Sequence, residues 1–334
     1  MLRYCLPLLF LGLLACGPET PEEAAAPPNG DPGIERLSAA IARQPDDPEL
    51  YRQRASMFYD LENYDGAIDD LTRALTLDST NVDYHYELAD IYLDYYRSRL
   101  ALRTLERAAR LDPDRLETQL RLAETQLILK QYDDALASLN EAVRLDPRNP
   151  EAYYLLSQVF EETGDTLRAI NAAEEATQID PDMTDAYLLL GELMAARESP
   201  RAEAYFDAAV AIDPRDVIAI HARADFYRDR GDLPRAIAEY RRASTIDRQY
   251  VAGNFNAGLL LMELDSVERA YDEFNITIKN DPIHIRAFFY RGYASERLGN
   301  LDAARRDYET ALRMAPDFTL AREGLNRLDG QSPQ

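Results

Sequence analysis

The chain has 334 residues, with 60 acidic against 37 basic side chains and a formal net charge of −23. Nucleic-acid binding needs cations to neutralise phosphates, so this balance excludes a general nucleic-acid role. The 37 bases are almost all Arg, since Lys130 and Lys279 are the two lysines; such usage also occurs in salt-adapted or GC-rich organisms, so much of the acidity can be background.

The first sixteen residues read MLRYCLPLLFLGLLAC. Arg3 precedes an apolar stretch from Tyr4 to Ala15 that is too short to span a bilayer, which takes roughly 20 residues, and suits the core of a signal peptide. Leu13-Leu14-Ala15-Cys16 resembles a bacterial lipobox. That resemblance implies a signal peptide over 1–15, cleavage before Cys16 and acylation of Cys16, which anchors the chain in a bilayer; each buried CH₂ contributes about 0.8 kcal/mol. Cys5 leaves with the signal, so the mature chain has no disulfide. Residues 16–33, rich in Pro, Gly, Glu and Ala, have nothing to bury and read as a disordered tether. Gly17 after the cysteine resembles an outer-membrane address. The acids Glu19, Glu22 and Glu23 faintly resemble a surface-export signal, though an acidic tether explains them equally.

From residue 34 the chain repeats. Asp-Pro pairs end apolar runs at Pro113, Pro147 and Pro181, 34 residues apart, and recur at Pro214 and Pro282, with Pro316 one period further. A fixed period of this size marks a repeat array. A half unit, Ile34 to Arg43, precedes eight units starting near 48, 82, 116, 150, 184, 217, 251 and 285, and a capping helix over 319–329 closes the solenoid at 34–334. Every unit carries alanine in one column, Ala67, Ala101, Ala135, Ala169, Ala202, Ala236, Ala270 and Ala304. A larger apolar residue follows four later and a small one seven later, so all three share one helix face. Upstream, Ala55, Ala89, Ala123, Ser157, Gly191, Ala224, Gly258 and Gly292 form the small column of a first helix. Turn pairs such as Gly164-Asp165, Gly231-Asp232 and Gly299-Asn300 separate the two helices. The fold predicted is all-α, a solenoid of αα-hairpins. Acidic pairs such as Asp69-Asp70 and Asp133-Asp134 read as solvated helix starts.

The Leu-small pairs Leu88-Ala89, Leu122-Ala123 and Leu190-Gly191, the aromatics Tyr92 and Phe160, the alanine column and the Pro resemble the tetratricopeptide repeat (TPR) family. Tyr51, Tyr153, Tyr187 and Phe288 stand where that family usually has Trp. The resemblance implies a TPR superhelix whose first helices line a concave groove at unit positions 2, 5, 9, 12 and 13. In the first five units those positions hold 12 acids against Arg52 alone. Acids at position 2 stabilise helix N-termini anyway. The remainder are Asp60, Asp90, Asp94, Glu124, Glu161, Glu162 and Glu192, with aromatics at Tyr59, Tyr86 and Tyr154 and later at Phe255, Phe289 and Tyr293. A groove for a basic or aromatic segment of another protein fits this pattern; a solvated acidic face, with aromatics over helix seams, fits it equally.

No P-loop, Gly-rich phosphate cradle or nucleophile elbow occurs. None of His85, His221 and His284 makes a metal-ligand pair with another His or Cys. The reading is a scaffold without enzyme activity, cofactor or small-molecule substrate, anchored at the bacterial outer membrane, facing periplasm or cell surface, and holding other envelope proteins. In plan it is similar to NlpI-like and pilotin-type TPR lipoproteins. A glycan- or nutrient-capturing lipoprotein of the SusD-like class is the alternative, against which stand the short linkers and the absence of Trp.

Overall fold

The computed structural model describes residues 30–331. The signal peptide, Cys16 and most of the tether lie outside the described residues. The chain forms two compact units, one ending at Ile91 and one beginning at Tyr92. Among the described residues all regular structure is helical. The helices run α1 (Pro32–Arg43), α2 (Pro48–Asp60), α3 (Tyr64–Leu77), α4 (Val82–Asp94), α5 (Ser98–Leu111) and α6 (Leu116–Ile128). They continue as α7 (Tyr132–Leu145), α8 (Pro150–Glu162), α9 (Thr166–Ile179), α10 (Thr184–Ala196), α11 (Ala202–Ile212) and α12 (Val217–Asp229). The last six are α13 (Leu233–Ile246), α14 (Ala252–Glu263), α15 (Val267–Asn280), α16 (Ile285–Arg297), α17 (Leu301–Met314) and α18 (Thr319–Gln331). None of them is long and apolar enough to cross a membrane. The helix α1 takes in Pro32 and Gly33 from the end of the expected tether, because Asp31 caps it and Pro32 is pre-set for the first helical position.

Consecutive helices pair as antiparallel hairpins. In the first unit α2 packs on α3; in the second, α6 packs on α7, α8 on α9, and so on to α16 on α17, with α18 laid on α17. The eight turns inside the repeats share one hydrogen bond, from the amide three residues past the helix end back to a carbonyl five residues earlier. Asn63 to Phe58, Gln131 to Gln126 and Asp232 to Tyr227 are each 2.8 Å. This closure needs one residue in the left-handed region. Gly164, Gly231 and Gly299 supply it without strain. Glu62, Tyr96, Lys130, Glu198 and Asp265 supply it with a Cβ, at φ of 54 to 58°. The turn conformation is therefore set by hairpin packing and overrides residue preference in five units.

The repeated Asp before each Pro has its own task. The carboxylates of Asp146, Asp180, Asp213 and Asp281 accept from the amide two residues on, at 2.8 to 3.1 Å. These Asx turns redirect the chain between repeats.

The alanine column is 0 % exposed throughout. The larger column four residues on is likewise buried, and three of its rings are matched across the hairpin by glycine. Where the first helix has Gly191, Gly258 or Gly292, the second presents Phe206, Phe274 or Tyr308, and a Cβ on those glycines would meet the ring at 2.8, 2.6 and 3.0 Å. Ala123 shares its buried core with the smaller Leu139, whereas Ala224 shares one with Tyr240.

Asp70 departs from its expected role as a solvated helix start. It is 5 % exposed and takes a two-pronged pair from Arg54, at 2.7 Å on each prong. Arg291 and Asp307 repeat the arrangement in the last hairpin of the second unit. The spacing of 16 residues carries a cation from the seventh position of a first helix onto its own second helix, and the paired acid is then held by the fold.

Candidate functional site

The groove residues expected from sequence fall on the first helices of both units. In the first unit Tyr59 is half-buried, its ring edge-on to Tyr64 at 6.0 Å; Tyr86 is buried and Asp90 half-buried. In the second unit Asp94, Glu124, Glu161, Glu162 and Glu192 are exposed, and Tyr154 is half-buried.

The second unit brings Tyr154, Glu161 and Glu192 together from α8 and α10. Burial and the neighbouring Glu161 and Asp225 carboxylates push the Glu192 carboxyl above its usual range. Burial, then Glu162, does the same to Glu161. The Tyr154 hydroxyl is pushed up by burial, then by Asp185, Glu192 and Glu161. Neither Glu161 nor Glu192 has a cation or hydrogen-bond donor among the described residues. Glu162 is engaged elsewhere: it accepts from the Tyr132 hydroxyl at 2.9 Å and lies 3.9 Å from Lys130.

Three expected anchors are interior. Tyr86, Phe255 and Phe289 are 4, 5 and 7 % exposed. Phe255 is enclosed by His284 at 4.8 Å and Tyr290 at 5.8 Å, with the Arg286 guanidinium 4.9 Å from its ring. Phe289 packs among Tyr290, Tyr293, Tyr308 and Phe318. Phe255 and Phe289 fill the seams between adjacent hairpins and leave little face for a partner. Tyr293 stays half-buried.

Beside Glu192 opens a cleft of about 1080 Å³ between α10 and α12, floored by Phe206, Phe226, His221 and Tyr250. Its rim carries Asp225 and Arg228 and the exposed Ile218, and Ala195, Ala196 and Ala222 leave the space open. The sequence set His221 aside as making no metal-ligand pair, and did not single out Asp225. The fold makes them a polar cluster. Asp225 accepts from the Tyr240 hydroxyl and from Arg228 at 2.5 Å, and lies 3.6 Å from His221 Nε2. Asn256 Nδ2 lies 3.3 Å from His221 Nε2, and His221 Nδ1 is buried with no hydrogen-bond partner. Burial holds His221 below its ordinary pKa; Asp225 opposes that and Arg228 adds to it. The imidazole is therefore neutral at neutral pH. A histidine four residues before an acid on one helix was the signal available in the sequence. Among the described residues no three His, Cys, Asp or Glu are grouped to hold a metal ion.

Family profiles for the TPR repeat match residues 55–94, 127–164 and 224–265, and tetratricopeptide-repeat profiles match 150–183 and 285–318. Together they take in just over half of the sequence. The chain belongs to the tetratricopeptide-repeat family. Members are scaffolds for protein–protein interaction, and that coarse role holds here. No curated protein matches the sequence. Among solved structures, the TPR chain is similar to YrrB, described as a TPR protein with an unusual peptide-binding site. Identity is 25 %, covering 57 % of this chain and 98 % of that one, with a TM-score of 0.44. It is also similar to the C-terminal part of a TPR repeat-containing protein from Cytophaga hutchinsonii, at 18 % identity over 66 % of this chain and 92 % of that one, TM-score 0.49. A thermophilic TPR protein of Thermus thermophilus aligns at 23 % identity over 55 % of this chain and 100 % of that one, TM-score 0.48.

Proposed function

We propose that this TPR protein is a lipid-anchored scaffold of the bacterial cell envelope, held at the outer membrane by acylated Cys16. On its second unit it captures a basic segment of another envelope protein and does no chemistry of its own. The observation that carries the binding reading is the row Glu161, Glu192 and Asp225. They come from three successive first helices; Glu161 and Asp225 flank Glu192 and raise its proton affinity, and neither Glu161 nor Glu192 has a cation among the described residues. A Lys or Arg laid along that row relieves the repulsion, and the adjoining cleft takes an apolar or aromatic neighbour of that cation, as anchors do at interaction hot spots. The lipid anchor is supported by the Leu13-Leu14-Ala15-Cys16 site.

Crosslinking in intact cells with recovery of bound proteins tests the scaffold. Glu161→Gln with Glu192→Gln keeps shape and removes charge, and is expected to lower capture of a basic partner and flatten its salt dependence. Unchanged recovery and unchanged salt dependence would refute the acidic row as the binding surface. Mass spectrometry of the mature N-terminus tests the anchor: a chain that begins elsewhere, or Cys16 without acyl mass, refutes it.

A further inference from the structure

Among the second helices, α5 carries the largest excess of cations. The helix α5 holds Arg99, Arg103, Arg107 and Arg110 against the single acid Glu106. Spacings of four, four and three put the four guanidinium groups on one side of the helix. The opposite side buries Ala101, Leu105 and Ala108 at 0, 1 and 0 % exposure. All four arginines are exposed, and among the described residues none pairs with a carboxylate. Several arginines on other second helices are neutralised, Arg144 by Asp114 and Glu141 and Arg235 by Glu203 and Asp232, while others, such as Arg73 and Arg269, stand singly. In a chain of net charge −23, four adjacent free cations repel one another and gain nothing inside the fold from their alignment.

The row is about 16 Å long at 1.5 Å per residue. Tyr96 stands just before its first turn, 95 % exposed on the left-handed turn residue, and Leu111 ends it at 42 % exposure. A straight row of guanidinium groups on one helix face suits a plane of phosphates, to which each fork can bond twice. A fully exposed tyrosine beside the row is a side chain that settles at the bilayer–water boundary. The acidic remainder is screened from this face beyond a Debye length of about 8 Å at physiological salt, and repulsion from an anionic surface leaves α5 as the face presented to it. We propose that this face of α5 lies against an anionic lipid surface, with Arg99, Arg103, Arg107 and Arg110 on headgroup phosphates and Tyr96 at the interface. The inference rests on the reading that the chain is held at a membrane.

The test is phenylglyoxal labelling of arginines, read residue by residue by mass spectrometry. The full protein is reconstituted with vesicles of phosphatidylcholine alone or of phosphatidylcholine with phosphatidylglycerol. Each Arg near an anionic surface favours binding by roughly fivefold. Labelling of the four α5 arginines is therefore expected to fall by about tenfold or more on anionic vesicles and not on neutral ones. Arg269 and Arg313, exposed on other second helices, serve as controls and keep their reactivity. Arg103→Glu with Arg107→Glu restores labelling of Arg99 and Arg110 while circular dichroism stays unchanged. Equal labelling on the two vesicle types overturns the proposal. So does equal protection by soluble polyglutamate without vesicles, which assigns the face to an acidic protein instead. The N-terminal mass of the same sample separates this result from the anchor: protection on anionic vesicles by a chain without acyl mass removes the anchor and keeps the α5 face.

Discussion

Gly258→Ala sets helix propensity against packing. In a helix interior, replacing Gly by Ala stabilises by about 1 kcal/mol. At this position the new methyl would sit 2.6 Å from Phe274 Cε1 and 2.9 Å from Cδ1 and Cζ, where ordinary carbon contacts are about 3.5 to 4.0 Å. The ring must retreat by about 1 Å. It has no room to do so, being 0 % exposed and bounded by Phe255 at 5.9 Å and Tyr290 at 5.6 Å. Overpacking costs about 1 to 3 kcal/mol; with so rigid a neighbour the upper half applies, and the net is destabilisation by about 1 to 2 kcal/mol. Phe274→Leu alone leaves a cavity and also destabilises. The double substitution recreates the pairing of Ala123 with Leu139, which share one buried core, so it is expected to recover part of the loss, a coupling of about 1 to 2 kcal/mol. Repeat arrays lose stability locally first, so native-state hydrogen exchange over α14 and α15 is the assay, with urea unfolding beside it. Slower exchange in Gly258→Ala, as propensity alone predicts, refutes the packing argument, and simple additivity of the two changes refutes the size matching.

The left-handed turn residues predict gains: Glu62→Gly and Glu198→Gly each stabilise by up to about 1 kcal/mol in urea unfolding, whereas Gly231→Ala destabilises by a similar amount. Arg54→Met leaves Asp70 buried without its partner and costs about 2 to 3 kcal/mol, discounted from a fully buried pair because Arg54 keeps partial exposure; Arg54→Met with Asp70→Leu restores most of it. His221 is held below its unfolded pKa by burial, so the unfolded state binds its proton first and stability falls as pH drops through about 6.5 toward the folded value. His221→Phe is expected to flatten that part of the stability profile, and the imidazole resonances of a three-histidine protein report the titration directly; a His221 resonance that titrates at or above the ordinary value refutes the assignment.

The hairpins, their period and the alanine seam were legible in the sequence because they repeat: eight copies of a small residue on one helix face leave only close helix contact as an explanation. The placing of the candidate acids on first helices was legible for the same reason, since unit position maps to helix. Left-handed Glu62, Tyr96, Lys130, Glu198 and Asp265 were not, because their conformation is imposed by the helices on either side and not by their own preference. Nor was the burial of Phe255 and Phe289: periodicity says which side of a helix a ring leaves from, while the neighbouring hairpin decides whether that side stays open. Asp70 and the cluster around Asp225 depend on partners from a second helix, Arg54 being 16 residues from Asp70 and Tyr240 being 15 from Asp225. Alignment along a helix is a local property that sequence carries, and desolvation and pairing arise only when separate helices meet.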